Sequence, residues 1–512
     1  MKGRLEIFTD LIPTGNTEID KKMIPAILDN VLSVHNENVE EIKKLYNYYY
    51  NETEILNKTK VQQSNINNQI GIPYANIAVN TINSYCFSHP FTRSSRNSDE
   101  SVTKLVKLFN DALDDDDYDS KTAEAEMNSG ICAFGYKFIR PATKEERAEG
   151  LWFKTCGDLN PETTFVVKSN TIDKDDVLAC TFYTRNKYDK ATFKKSGEET
   201  VYNVYTKYHY WVFVKGQDKQ EYSVEAQEVN GVIYDAYPLV YKRIPIVQYV
   251  RKQDRTSDFE IAMSLIDSIN NLASSRVDDV QQAVDYILLL RDIKCDTEED
   301  VKKITQAIAQ GILAFKSIEG LTIQPDVSVL NTKINQSEVQ TLQDFLCKKV
   351  EEALNIPNRE TRGSSGDTGT AVENRAGYRS LENIAGLITL QAKKAENKAL
   401  DVILQICKTQ SGCPFASLNI NDIEIKANRN KVENLTTATN AYSTLRSAGM
   451  NDIDALNACE LTPDSIGTAS RNKAEAEENR KIQMEMAQQT ANIQAKNNSS
   501  KEETKKTEKS EE

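Results

Sequence analysis

The sequence predicts an α+β fold, on three observations. Apolar residues recur at helical spacing up to about residue 130 and again after residue 257. From Ile131 to about Val250, β-branched and aromatic runs are separated by turn residues, as strands require. A smaller strand-bearing module then falls between two further helices. With 512 residues, 39% of them hydrophobic and 27% charged, the chain has globular composition and room for several structural regions.

Residues 1 to about 60 read as helix. Ile24, Ile27, Leu28, Val31 and Leu32 form one stripe, and Val39, Ile42, Leu45 and Tyr46 a second, ending in Tyr48-Tyr49-Tyr50. Polar Gln62–Gln69 reads as a loop. Residues 74 to 92 read as a buried helix that stops before Pro90, with Ile77, Ile82, Tyr85 and Cys86 toward the core. Residues 100 to 129 form a helix pair broken by Asp114-Asp115-Asp116-Asp117. Adjacent residues on a helix point in different directions and no histidine is near, so the four acids read as a solvated turn or helix start.

Ile131–Arg140, Thr164–Val167, Leu178–Tyr183, Val201–Tyr205, Tyr208–Val214 and Ile246–Tyr249 are the strand candidates of an antiparallel sheet packed on the preceding helices.

The centre of the chain runs from about Ser257 to Ile406. Ser257-Asp258-Phe259-Glu260 matches a capping box. Ala262, Leu265, Ile266, Ile269, Leu272 and Ala273 follow at helical spacing. The opposite face carries Asp267, Ser268, Asn270, Asn271, Ser274 and Ser275, which read as facing solvent, a lumen or a neighbour. The module holds strand candidates at Tyr286–Arg291, Leu313–Lys316 and Leu321–Ile323 and a helix at Glu298–Ala309. It is too small to stand alone and is expected to pack on a neighbouring copy. The second central helix begins near Gln336, carries Val339, Leu342, Phe345, Leu346, Val350, Ala353 and Leu354 on one stripe, and stops at Asn355-Ile356-Pro357. A loop, Arg362-Gly363-Ser364-Ser365-Gly366-Asp367-Thr368-Gly369, leads to a third helix. That helix starts at Thr370-Ala371-Val372-Glu373 and runs to Cys407, with Gly377 and Gly386 as kink sites.

Beyond a break at Ser411-Gly412-Cys413-Pro414, Leu418–Ile425 alternates like a strand. Lys431–Ala448 reads as a helix capped by Gly449, and Asp452–Cys459 as another. After Ala469 the chain is polar, helical to about Gln494, and disordered over Lys501–Glu512.

The net charge of −13 argues against a general nucleic-acid binder and leaves open a protein that lets DNA slide past without gripping it. No apolar run reaches the ~20 residues of a membrane span, and the N-terminus has no apolar leader. Nine scattered cysteines without a C-x-x-C read as reduced structural thiols of a cytosolic compartment. There is no phosphate loop, zinc-protease, nucleophile-elbow or dinucleotide motif. His35, His89 and His209 sit in unrelated contexts. No catalytic, metal or cofactor set is assigned, and the chain is read as not an enzyme.

Two helices bracketing a small module, then a glycine loop, then a long helix, resemble the portal proteins of tailed bacteriophages, closest to those of long-tailed phages of Gram-positive hosts. Ser257–Glu260, Ser264–Asp267, Val280 and Val284-Asp285 resemble the first stem helix, and Ser337–Val339 to Ile356-Pro357 the second. Gly363–Gly366 resembles the tunnel loop and Thr370–Val372 the start of the wing helix. Gly130–Phe138 and Leu159–Val167 resemble the wing, and Asn430–Asn434 the start of the crown.

The resemblance covers roughly residues 20 to 465 and implies a division of the chain. Residues 1–255 would be a wing, 256–285 the first stem helix, 286–335 a clip and 336–356 the second stem helix. Residues 357–370 would be the tunnel loop, 371–410 a long kinked wing helix, 411–468 a helical crown and 469–512 a polar tail. Leu265, Ile266, Ile269, Leu342, Phe345 and Leu346 would pack the stem. Gly363, Ser364, Ser365, Gly366, Asp367 and Gly369 would form the DNA-tunnel loop.

The family's assembly would be a ring of about twelve copies at one capsid vertex of the virion, made in the host cytoplasm. Double-stranded DNA would pass through it. The terminase large subunit, a head-completion or adaptor protein, and the major capsid and scaffolding proteins would be its partners, with no membrane and no cofactor. The physics agrees: a helix of ~19 residues spans ~28 Å, enough for a tunnel wall. Two other readings are a helical interaction scaffold without a DNA role and a metal-dependent nuclease built on Asp114–Asp117.

Overall fold

A computed structural model describes residues 3–60, 66–96, 99–188, 193–216, 221–229, 231–284, 288–291, 297–309, 326–329, 336–357, 377–429, 435–462 and 464–508. The chain divides into two compact units. One comprises Met1–Lys43, Val79–Ser257 and Arg362–Glu512, the other Lys44–Ala78 and Asp258–Thr361. Residues 44–78, which the sequence groups with the N-terminal region, thus belong with the central helices.

In the first unit the strand-rich region forms two main sheets. The larger runs Phe8–Thr9, Thr164–Ser169, Asp176–Tyr188, Lys195–Thr206, His209–Gly216, Ala236–Pro238, with Ser223–Val224 also on His209–Gly216. All its pairings are antiparallel except the first, which is parallel. One face buries Phe165, Val167, Leu178, Cys180, Val204, Trp211 and Phe213 against Ile24, Ile27, Leu28 and Val31 of the N-terminal helix. The smaller sheet has Phe134–Pro141 between Ile246–Val250 and Phe153–Cys156.

The two N-terminal stripes are one helix, Thr17–Tyr49. They join because polar residues fill the gap between them. His35 is buried with Nε2 2.9 Å from the Glu162 carbonyl. Asn38 accepts from the Leu5 N–H and donates to its carbonyl. The next helix is Tyr74–Phe87, where Ile82 and Cys86 are buried as expected but Ile77 is 37% exposed; Ala78 and Val79 take its place inside.

Glu100–Asp115 and Tyr118–Cys132 are the expected helix pair. The strand after them begins at Phe134 rather than Ile131. Ile131 and Cys132 are the buried last turn of the helix, closed by Ala133 at φ 81°. A short apolar run cannot be divided between buried helix and buried strand by periodicity alone. Gly135 lets this strand lie against the helix: a Cβ there would meet the Ala125 carbonyl oxygen at 1.9 Å.

The long helix is described over Tyr378–Lys408, and its start at Thr370 lies outside the described residues. Gly377 is not a kink inside it. It is the residue before the first turn, at φ 82°. Leu381, Ala385, Ile388, Ala392, Ala395, Ala399, Ile403 and Ile406 form the buried stripe. Of the alternating Leu418–Ile425 segment only Ile423–Lys426 is strand, paired antiparallel with Thr92–Ser95. Helices Leu435–Ser447, Asp452–Ala458 and Ser465–Glu508 follow. The disorder expected over Lys501–Glu512 is corrected for 501–508, which continue the helix; their Glu and Lys residues are good helix formers.

In the second unit the central helices are Met263–Val284 and Gln336–Leu354. The first is preceded by a 3₁₀ turn, Glu260–Ala262, before which Phe259 supplies no side-chain cap. The expected capping box is therefore not the helix start, and the Ser257 hydroxyl donates to the Gly130 carbonyl at 3.1 Å. The module between the helices has Leu288–Arg291 antiparallel to Asp326–Val329 and a helix at Glu298–Ala309. The expected strands Leu313–Lys316 and Leu321–Ile323 lie outside the described residues.

Candidate functional site

The central helices are the segment that the sequence singles out. On the first, Ile266 and Ile269 are buried with Ala262, Met263 and Ala273, and Leu265 is half-buried. The polar face is solvated only in part: Ser268 and Asn271 are exposed and Asp267 and Ser275 half-buried, but a row within it is covered. Asn270, Ser274 and Asp278 are each at most 1% exposed. The extended segment 68–72 covers them. Asn270 Oδ1 accepts from the Ile72 N–H at 2.9 Å, Ser274 Oγ from the Ile70 N–H at 2.9 Å, and Asp278 Oδ1 from the Asn68 N–H at 2.7 Å. The spacing explains the match. Four helical residues rise about 6 Å, and two extended residues about 6.6 Å. Side chains every four residues on the helix therefore meet every second backbone N–H of an antiparallel strap. Each of those N–H groups would otherwise be an unpaired donor on an unladdered segment.

The clasp ends on a charge. Lys60 Nζ lies 2.7 Å from Asp278 Oδ2 and Lys58 Nζ 3.9 Å. Burial opposes the Asp278 carboxylate, but Lys60 and the Asn68 donors outweigh it and hold its pKa down to about 2. At the other end Tyr48 donates to both Asp267 oxygens at 2.9 Å. Burial raises the Asp267 pKa against that hydrogen bond, and raises the Tyr48 hydroxyl too.

The second helix is different. Val350 and Leu354 are buried, at 0% and 2% exposed. Leu342 and Phe345, on the same stripe, are 49% and 54% exposed, and Leu346 is half-buried. The described residues thus leave both side chains half exposed, with Lys349 Nζ 5.7 Å from the Phe345 ring centre. Arg276 of the first helix reaches across to the Gln340 and Gln343 side-chain oxygens. Acids outnumber bases on both helices. Asp267, Asp278 and Asp279 face one Arg276, and Glu338, Asp344, Glu351 and Glu352 face Lys348 and Lys349. Gly363, Ser364, Ser365, Gly366, Asp367 and Gly369 lie outside the described residues.

The first unit holds a buried ionic network that sequence reasoning missed. Glu396 on the long helix is fully buried. Its Oε1 accepts from Tyr249 at 2.6 Å, Lys137 at 3.2 Å and Thr122 at 3.3 Å; its Oε2 accepts from Tyr118 at 3.0 Å and lies 3.5 Å from Arg93. Arg93 also pairs with Asp119 at 2.6 Å. Lys137 Nζ sits 3.6 Å from the Tyr118 ring centre. Burial brings the Lys137 pKa down to about 8 although Glu396 opposes it. The signal was present: Glu396 lies four residues after Ala392 and three before Ala399, on the apolar stripe.

Of the acid quartet, Asp114 and Asp115 end the helix and Asp116 and Asp117 make the turn, but Asp116 is not solvated. It is fully buried and accepts from the Thr155 N–H at 3.1 Å, the Thr155 hydroxyl, Lys121 at 2.8 Å and Lys154 at 3.3 Å. Among the described residues no group of three His, Cys, Asp or Glu could hold a metal ion, and no helix is long and apolar enough to cross a membrane.

Residues 28–452 match the family described as phage portal protein, SPP1 Gp6-like. The chain is 26% identical over 423 residues to the portal protein of Bacillus phage SPP1, covering 78% of this chain and 74% of that one. It is 22% identical over 383 residues to the portal protein of Clostridium phage phiCD119, covering 71% and 79%.

Proposed function

Because the chain belongs to the phage portal protein family, SPP1 Gp6-like, we propose that it assembles into a closed ring of about twelve copies at one capsid vertex. Double-stranded DNA passes through that ring during packaging and ejection. The central helices are the stem, residues 286–335 the clip that docks the terminase large subunit and later the head-completion protein, and Gly363–Gly369 the loop that meets DNA. Scaffolding and major capsid proteins surround the ring in the virion.

One observation carries the reading beyond family membership. The second central helix keeps Leu342 and Phe345 open on the very stripe whose other end, Val350 and Leu354, is buried. A half-covered stripe on an ordered helix suits a surface completed by a neighbouring copy, and a ring gives every copy that neighbour. The acidic excess on the second central helix suits a wall that repels phosphates and does not hold a moving duplex.

The test is native mass together with negative-stain electron microscopy of the full-length protein. A ring of about twelve copies with a central hole is expected. Phage carrying Gly366→Pro should assemble the ring but package no genome, because proline fixes φ and removes a backbone donor in the loop proposed to meet DNA. A protein that stays monomeric, with normal packaging by the Gly366→Pro phage, would overturn the proposal.

A further inference from the structure

The long helix Tyr378–Lys408 carries a different feature on each flank of its buried stripe. Gly386, Thr389, Leu390 and Lys393 recur at helical spacing on one flank. Lys398 is five residues beyond Lys393, which puts it about 140° further round the helix and about 7.5 Å along the axis, on the other flank.

The first flank opens on a cavity of about 610 Å³. Its other walls are the end of strand Ile423–Lys426 with the residues after it, and the turn that follows helix Asp452–Ala458. Basic groups dominate the lining. Among the described residues Lys393 has no side-chain partner, and Lys426 donates to a neutral group, the Asn457 amide oxygen, at 3.0 Å. Arg429 pairs with Glu382 at 2.8 Å, and the lining holds one acid among the described residues, Glu460. Gly386 makes room for the guanidinium: a Cβ there would meet Arg429 Nη1 at 3.2 Å, tighter than ordinary contact. The rim is apolar, with Leu387 and Leu390 exposed.

The second flank anchors a turn. Lys398 holds Asp176 at 2.8 Å, where the chain passes from strand Thr164–Ser169 to strand Asp176–Tyr188. The turn is tied at its base. Ser169 N–H donates to the Asp175 carbonyl at 2.8 Å and Lys174 N–H to the Thr171 carbonyl at 3.2 Å, while Lys174 Nζ lies 3.3 Å from Glu6 Oε2. What it presents outward is Ile172, 100% exposed, with Asp173 and Asp175, both exposed and without side-chain partners among the described residues.

We propose that Ile172, Asp173 and Asp175 of one copy seat in the Lys393–Lys426 cavity of the next, a contact that rests on the proposed ring. The chemistry is complementary. Two carboxylates meet two ammonium groups, and the isoleucine meets the leucines of the rim, where a small anion would leave Leu387 and Leu390 uncovered. Copies of a chain with net charge −13 repel one another, so a neighbour's acids are best received where basic groups are gathered. The placement is that of a head-to-tail contact. Turn and cavity leave the same helix on opposite flanks and at similar heights, so each copy offers one surface to the neighbour before it and another to the neighbour after it. Such contacts close rings, whereas a twofold dimer sets one patch against itself.

The experiment measures the ring fraction of full-length protein by native mass. Lys393→Glu with Lys426→Glu, and separately Asp173→Lys with Asp175→Lys, should each lower that fraction several-fold. Subunit thermal unfolding should stay unchanged, because none of the four residues is buried. The chain carrying all four changes should regain rings, its attraction restored with the signs exchanged. A second measurement needs no variant to fold. Carbodiimide treatment of wild-type rings should join peptide Ser169–Lys174, through Asp173, to Lys393 or Lys426 in a band of two subunits' mass on a denaturing gel. Rings that survive both reversals, a fourfold variant no better than the twofold ones, or a two-subunit band without that link would overturn the contact and leave the ring proposal standing. Wild-type protein that remains as single subunits would overturn both.

Discussion

The long helix Tyr378–Lys408 and the second central helix Gln336–Leu354 are both amphipathic, yet they end in different states. The long helix is finished by its own chain. Its stripe from Leu381 to Ile406 is buried, and the one acid on it, Glu396, has five partners. The second central helix is half finished, with Val350 and Leu354 inside and Leu342 and Phe345 outside. The same periodicity therefore serves two ends. A stripe covered within the subunit contributes to folding, and one left open is available for association.

Substitutions sharpen the contrast. The largest effect is expected from Glu396→Ala, which leaves the fully buried Lys137 without its carboxylate, Arg93 keeping Asp119, and should cost about 3–5 kcal/mol in urea unfolding. A loss under 1 kcal/mol would mean that water or rearranged partners replace the carboxylate. Next is Ser274→Ala in the clasp. It removes the acceptor of the part-buried Ile70 N–H, at a cost of about 1 kcal/mol. Hydrogen exchange at Ile70 should speed up in that variant, and unchanged exchange would show that the strap does not depend on the serine.

The Asp278–Lys60 latch makes the clasp sensitive to acid. The folded carboxyl pKa is about 2, against an ordinary 3.8, so its stabilisation is present above about pH 4 and lost as pH falls toward 2. Asp278→Asn should flatten that part of a stability–pH curve. An unchanged curve would place the acid sensitivity elsewhere. The smallest change in subunit stability is expected from Phe345→Ser, within about 0.5 kcal/mol because the ring is exposed. Its native mass should nevertheless shift toward single subunits. Strong destabilisation of the lone subunit, or unchanged assembly, would break the distinction between the two helices.

By itself the sequence determined the kinds of element and their order. Alternating β-branched and aromatic residues require a pleated strand, and apolar residues at helical spacing require a helix face, whatever lies nearby. The central order of helix, module, helix and loop was legible in this way, as was the family resemblance, since neither needs contacts distant in the chain. Partnership was decided only by tertiary structure. Asn270 and Ser274 read as facing solvent, a lumen or a neighbour until the strap 68–72, some two hundred residues earlier, lays its N–H groups against them and against Asp278. Asp116 read as one of four surface acids until Thr155 and two lysines close on it. Leu342 and Phe345 read as stem-packing residues like Val350 and Leu354 until the fold leaves them about half exposed among the described residues. The cause is common to all three. Periodicity records which residues share a face, whereas burial depends on what the rest of the chain brings to that face. A polar side chain can be buried wherever distant groups satisfy its hydrogen bonds.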